Sequence, residues 1–374
     1  MLFDPRPKIR REDLFDRERE IEELKEAVSR YPLTLLLGIR RIGKTSVLRV
    51  ALNELGVPYI YLDLRALEGE GYSRASLYRL FSESFTDVAS KWRGIADYLR
   101  SIKGIEVRAF GACLKVDLNW SEKSLTLGRI FSELNRVAER ASPRGFIVLA
   151  FDEAQILRYM SGGKGRIDFR EILAYAYDNL PNLRFILTGS EVGLLLGMLR
   201  LDDPQTPLYG RFVKTIKLER FDMEKSLEFL RRGFNEAGVR VGEDIIQRIY
   251  ERVDGIAGWL TYFGSSIIES RYRGSNSEIV EEIAEKALKL IEKELGEILK
   301  RSKYHVYILK AIALGINTWS GIRRAVEAWL GRPVENTQIA RSLKTLAELS
   351  IIEKRNQSYH IADPLITEYC RRKL

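Results

Sequence analysis

Cysteine and histidine are nearly absent, with two of each in 374 residues. Cys113 and Cys370 lie far apart with no second thiol or histidine at ligand spacing, so neither a zinc site nor a disulfide framework is indicated. No apolar run approaches the roughly eighteen residues a membrane helix needs, and the longest candidate, Gly193–Leu199, is a short piece of helix. Charge crowds residues 4–26 and excludes an apolar targeting segment there. Internal repeats and low-complexity tracts are missing too. The expectation is a soluble cytoplasmic protein with no membrane role. At 374 residues, 45% of them hydrophobic, it has room for two or three domains.

Acidic residues are in the minority: 52 Asp and Glu stand against 61 Lys and Arg, a net charge of +9. Residues 303–374 hold twelve Lys/Arg and six Asp/Glu, so most of the excess sits in the last fifth of the chain. Such a surface is either simply solvated or turned toward nucleic acid.

What the chain does have is Leu33-Thr-Leu-Leu-Leu-Gly38-Ile-Arg-Arg-Ile-Gly43-Lys44-Thr45-Ser46. It reads as a buried strand, a glycine-bounded loop and a helix start, and it fits the phosphate-binding pattern G-x-x-x-x-G-K-[ST]. Gly38 and Gly43 let the backbone of Ile39, Arg40, Arg41 and Ile42 curl, so that successive N–H groups face phosphate oxygens. The helix N-terminus adds its partial positive charge. Lys44 would reach the β- and γ-phosphates of ATP, and the Thr45 hydroxyl would ligate Mg²⁺.

A second motif supplies the rest of the chemistry. Phe146–Phe151 is apolar on both faces and runs into Asp152-Glu153-Ala154-Gln155. Asp152 can hold magnesium opposite Thr45, and Glu153 can orient a water in line with the γ-phosphate, which argues for hydrolysis over transfer to another substrate. Thr188-Gly189-Ser190 closes the next strand. Ser190 would touch the γ-phosphate or its water, or else cap the following helix. Arg211 is a candidate for transition-state charge, in cis or in trans, with a structural ion pair as the alternative. Arg40 and Arg41 would contact phosphate or brace the loop against Asp63 or another acid.

Strands near 33–37, 59–63, 146–151, 184–188 and 213–218 alternate with helical patterns, predicting an α/β core with a parallel sheet over residues 1–220. A helix capped by Asp16 precedes the first strand, residues 73–101 read as mostly helical, 104–119 as a hairpin and 161–165 as a loop. From Phe221 the strands stop. Helical patterns at 224–237, 243–253, 258–270 and 277–301 make a helical domain of 221–302. Helices at 304–314, 319–330 and 336–349, then strands at 351–354 and 359–361, spell a winged helix-turn-helix over 303–374. In 336–349, Ile339, Leu343, Leu346 and Leu349 bury one face, leaving Gln338, Arg341, Ser342 and Thr345 free to read DNA; Lys354 and Arg355 flank the wing tip. Residues 336–358 are therefore the candidate DNA surface. Glu335, Glu348 and Glu353 interrupt its positive field, and an unknown protein partner is the alternative.

The chain resembles the archaeal P-loop ATPases of the AAA+/STAND group that carry a C-terminal winged helix. The resemblance rests on Phe15–Leu24, Gly38–Ser46, Asp152–Gln155, Thr188–Ser190, Tyr209–Arg211 and Gly255–Leu260, and it covers most of the chain. It implies a sheet ordered 5-1-4-3-2, a helical lid, and ATP held between them, with Phe15, Arg17 and the Gly255–Leu260 turn near adenine. Ala257 stands where related proteins usually carry proline. The implied activity is slow, magnesium-dependent ATP hydrolysis that works a molecular switch and reports to a partner through the winged helix. The alternative is an ATP-licensed DNA-binding regulator resembling a replication initiator.

Overall fold

Five apolar segments separated by amphipathic helices can cover both their faces only as a parallel sheet. The computed structural model describes residues 1–100, 102–110, 113–119, 121, 125–161, 167–270 and 278–374. Its strands are β1 (Leu33–Leu37), β2 (Tyr59–Asp63), β3 (Ile105–Phe110), β4 (Cys113–Leu118), β5 (Ile147–Asp152), β6 (Leu183–Gly189), β7 (Lys214–Lys217), β8 (Ile352–Arg355) and β9 (Ser358–Ile361). β3 pairs with β4 and β8 with β9 as antiparallel hairpins, and the other five form one parallel sheet ordered β2-β5-β6-β1-β7. Counting only those five, the order is 5-1-4-3-2, as expected.

Burial follows position. β1 and β5 are buried at every residue, whereas the edge strands β2 and β7 are only partly covered. Alternate strand residues feed two separate apolar clusters, Leu33, Leu35 and Leu37 on one face and Leu36, Val148 and Ile186 on the other. The register sets Leu37 opposite Gly189 and Asp63 opposite Asp152, so the carboxyl ends of β1, β2, β5 and β6 meet at one edge of the sheet.

Helices Met223–Glu236, Glu243–Val253, Ala257–Glu269 and Glu278–Arg301 follow, then Lys303–Ala313, Trp319–Leu330 and Asn336–Glu348 ahead of the β8–β9 wing. All of them pack into one continuous apolar cluster, from Phe229 and Ile249 through Leu295 to Leu309, Leu343 and Ile352. A last helix, Pro364–Lys373, was not read from the sequence although its start signals are plain: proline in the first turn, and Asp363 accepting the Leu365 amide at 2.9 Å.

Two local readings need correction, at Asp16 and at Ser342, and two more are qualified. The helix Glu18–Arg30 has no side-chain cap; Asp16 turns the chain at φ 48° and pairs with Lys225 at 2.7 Å. The 73–101 stretch breaks at Trp92 into Arg74–Lys91 and Arg93–Leu99. Ser342 is buried beside Leu343 instead of facing outward. The 161–165 stretch falls, after Ser161, outside the described residues.

Residues 1–13 tie the helical part to the sheet. The Phe3 ring is seated against Gly233 and Gly264, where an added Cβ would stand 2.3 and 2.6 Å from it. Ser265 donates to the Phe3 carbonyl at 2.7 Å, and further on the Lys8 amide donates to Ser46 Oγ at 3.0 Å.

Candidate functional site

A cavity of about 590 Å³ opens between the carboxyl edge of the sheet and the lid helices. That is ample for a nucleotide. One end is polar, lined by Gly43, Lys44, Thr45, Ser46, Arg65 and Glu153; the other is aromatic, lined by Phe15, Phe221, Phe229, Trp259 and Tyr262. Among the described residues no helix is long and apolar enough to cross a membrane.

The glycine-bounded loop takes the shape its sequence requires. Gly43 sits at φ 101°, in the left-handed region that glycine favours, and a Cβ on Gly38 would stand 2.9 Å from Ile42 and 3.0 Å from the Leu218 carbonyl. The helix Lys44–Glu54 that follows has no side-chain cap and no acid in its first turn, so its N-terminal amides are left for an anion. Lys44 is buried and its ammonium donates to the Ile39 carbonyl at 3.0 Å. Burial pulls its pKa down, and the nearby Glu153 and Asp152 carboxylates offset that only in part.

Asp152 is fully buried at the end of β5. Three hydroxyls donate to it: Thr45 to Oδ2 at 2.7 Å, Tyr61 to Oδ2 at 2.9 Å, and Thr188 to Oδ1. Next to it Glu153 adopts φ 55°, and its Oε2 accepts from Ser190 N (3.1 Å), Ser190 Oγ (2.6 Å) and Gln155 Nε2 (2.7 Å). Burial works to raise the Glu153 pKa, but the Lys44 charge and these donors outweigh it and hold the carboxyl below its usual range. Ser190 thus serves Glu153 and does not cap the next helix, whose N-cap position is Glu191.

Several expected residues stand elsewhere. Arg41, Ile42, Gly43, Lys44, Thr45, Ser46, Phe15 and Arg17 line the cavity, while Gly38, Ile39 and Arg40 do not. Phe15 meets Phe221 and Phe229 edge-on; Arg17 lies over Phe221 and donates to the Glu219 carbonyl at 2.8 Å, so it props the loop from below. Arg40 and Arg41 do brace the loop, but their acid is not Asp63. Both pair with Glu294 of the helix Glu278–Arg301, at 2.9 and 2.7 Å, and Arg40 also reaches Glu191 at 3.2 Å. Asp63 pairs instead with Arg65.

Arg211 is the clearest departure. It precedes β7, whose Lys214 pairs with Thr34 at the start of β1, so it lies at the amino-terminal edge of the sheet, opposite the loop. There it pairs with Asp178 and the Pro207 carbonyl. The structural ion pair, given as the alternative, is thus what Arg211 makes, away from the cavity of its own chain.

The loop arginines lead onward into the winged helix. Arg41 stacks over Trp259, 4.2 Å from the ring centre, and Trp259 Nε1 donates to the buried Asp363 at 2.7 Å. On the other side Ser350 accepts the Val192 amide at 2.9 Å, and a Cβ on Gly193 would stand 2.5 Å from Glu348 Cα. Loop, Ser190 turn, lid and winged helix are therefore in direct contact.

A parallel sheet in this strand order, with a glycine-bounded loop after its first strand and an Asp-Glu pair after a neighbouring one, defines a P-loop nucleotide-binding protein. Residues 14–263 match the family described as an ATPase domain predominantly from Archaea, and residues 299–362 match the C-terminal winged helix-turn-helix domain of MCM proteins. The chain belongs to this archaeal ATPase family. It is similar to a Walker-type ATPase of Pyrococcus abyssi at 39% identity, over 99% of this chain and 100% of the other, with a TM-score of 0.83. It shares its fold with the ORC2 protein of Aeropyrum pernix at 15% identity, over 99% and 96% of the two chains, with a TM-score of 0.60. No curated protein matches it.

Sequence reading missed Tyr61, Arg65 and Glu294 as parts of the site; Gln155 and Trp259 lay inside the Asp152–Gln155 and Gly255–Leu260 stretches of the resemblance, with no role of their own assigned. Tyr61 and Arg65 carry one usable signal, their place at the carboxyl end of a strand, where open α/β sheets bind ligands. Glu294 carries none, being a helix-surface glutamate some 250 residues from its partners.

Proposed function

We propose that the chain is a magnesium-dependent ATP hydrolase working as a switch, with the nucleotide between the sheet and the lid. The observation that carries this is the Thr45–Asp152–Glu153–Ser190 arrangement beside the uncapped helix at Lys44. On this reading the loop amides and Lys44 hold the β- and γ-phosphates, and the Phe15–Phe221–Phe229 end takes the base. Glu153, fixed through Oε2, turns its other oxygen to a water.

The donor set suits magnesium. Among the described residues no group of three His, Cys, Asp or Glu could hold a metal alone, but an ion that arrives on phosphates needs only one or two protein oxygens. Thr45 and Asp152 provide them: Asp152 is buried among hydroxyls and has no Lys or Arg ion-pair partner among the described residues. Bound there, magnesium would neutralise charge building on the phosphate oxygens.

Arg65 takes the part first assigned to Arg211. It lines the phosphate end of the cavity, held by two bonds to Asp63 at 2.8 and 2.6 Å, within electrostatic reach of Glu153. Arg211 is kept for a trans role only. The purified protein should release phosphate from ATP only when magnesium is present, and Arg65→Ala should lower the rate about a hundredfold with ADP affinity unchanged. Phosphate release at the same rate in EDTA would refute the magnesium reading, and an unaffected Arg65→Ala would refute the arginine's part.

Domain limits at 220 and 302 are kept on this reading, with one qualification: the lid and the winged helix share one apolar core. Nucleotide state would then reach a protein partner through the winged helix. A second reading, ATP-licensed DNA binding, is favoured by the outward-facing Arg341, Lys344, Lys354 and Arg355. Its mark is duplex affinity that falls steeply with salt.

A further inference from the structure

Strand β2 reaches the site through Tyr61, whose hydroxyl donates to Asp152 Oδ2 at 2.9 Å. That oxygen also takes the Thr45 hydroxyl at 2.7 Å, while Oδ1 is held by Thr188. The register explains the reach. Tyr61 stands opposite Ala150 and Asp63 opposite Asp152, which makes Asp152 the diagonal neighbour of Tyr61 on the same face. With strands about 4.8 Å apart and about 3.3 Å of rise per residue, such a diagonal spans roughly 8 Å, a gap that an aromatic ring with a terminal hydroxyl crosses and a short side chain does not. Ala150, across the ladder, carries only a methyl.

The ring is held in that pose. Arg49, on the helix after the loop, places its guanidinium 5.2 Å from the ring centre, and Ser84 donates to the Tyr61 carbonyl at 2.6 Å.

We propose that Tyr61 is the positioning residue for the metal-facing carboxylate. The proposal rests on the nucleotide reading above. In the structure Oδ2 has two donors; Thr45 would ligate a metal through its oxygen lone pair and keep its own O–H, so Tyr61 is the donor to Oδ2 that is not itself a metal ligand. It then keeps the carboxylate oriented and shares its charge, as hydrogen-bond partners behind metal ligands do. Thr188 cannot substitute, because it holds the other oxygen.

Tyr61→Phe keeps the ring and its Arg49 contact and removes only the hydroxyl. Binding of a fluorescent ATP analogue, titrated with magnesium, should show the half-saturating magnesium concentration raised about tenfold. Affinity for the analogue in EDTA should stay as in the wild type, and thermal unfolding should show a cooperative fold with at most a modest drop in midpoint. An unshifted magnesium midpoint would overturn the proposal. So would a loss of affinity in EDTA by the same factor, because that is what a purely structural role gives. If wild-type binding itself shows no magnesium dependence, the nucleotide reading fails and this inference goes with it; dependence in the wild type that the variant leaves unmoved sinks this inference alone.

Discussion

Replacing Glu153 by glutamine is expected to lower ATP turnover by a factor of about a hundred to a thousand while ATP remains bound. Three donors converge on Oε2 of this side chain, and Oε1 has no hydrogen-bond partner among the described residues, which leaves it the oxygen free to meet a water. The backbone at φ 55° and the Ser190 turn fix its direction, so little reorganisation is left for the moment of reaction. Its pKa, held below the usual range against the effect of burial, keeps it an acceptor at neutral pH. Glutamine retains the volume but loses the base. On the proposed reading the phosphate contacts come from the loop and Lys44, so affinity should survive. Single-turnover phosphate release together with retention of labelled ATP measures both halves. Unchanged release would remove Glu153 from the chemistry, and lost retention would make it a folding residue.

Gly255→Ala should cost about 3–5 kcal/mol, from left-handed strain plus overpacking. Gly255 is at φ 73°, and an added Cβ would stand 1.9 Å from the Phe221 carbonyl oxygen, deep inside contact distance with a backbone atom. The two residues are also joined by the Phe221 amide donating to the Gly255 carbonyl at 3.0 Å, where the chain passes from sheet to lid. Gly210 gives the control. It has the same φ of 73° with nothing within 4 Å of an added Cβ, so Gly210→Ala should cost only the backbone share, about 1 kcal/mol. Thermal unfolding of the two variants should differ by several degrees. Equal losses would show that the close approach to Phe221 is not what matters.

The parallel sheet was legible because its strands are largely apolar runs between amphipathic helices, while the strand order followed only from the family resemblance. The lid helices were legible for the same reason, to within a residue or two at their ends. The phosphate end of the site was legible where residues sit in one short motif: Gly43 to Ser46, and Asp152 with Glu153. What escaped were partnerships set by strand adjacency and by packing between distant segments. Tyr61 reaches Asp152 only because β2 lies beside β5, and Arg40 and Arg41 find Glu294 only because the long helix crosses the loop. Arg211 fails for a reason the sequence did contain. A residue just before a parallel strand stands at its amino end, away from the ligand.

Nucleotide control over the winged helix is tested most directly by amide hydrogen exchange along Asn336–Glu348 and Pro364–Lys373. The comparison is Glu153→Gln holding ATP against the wild type holding ADP. Glu294 joins the loop arginines to the lid, and Trp259 joins Arg41 to Asp363, so a filled γ-phosphate position should tighten this unit on the core. Slower exchange in both helices with ATP than with ADP is the predicted result. Identical exchange in the two states, with each nucleotide shown to be bound, would contradict it.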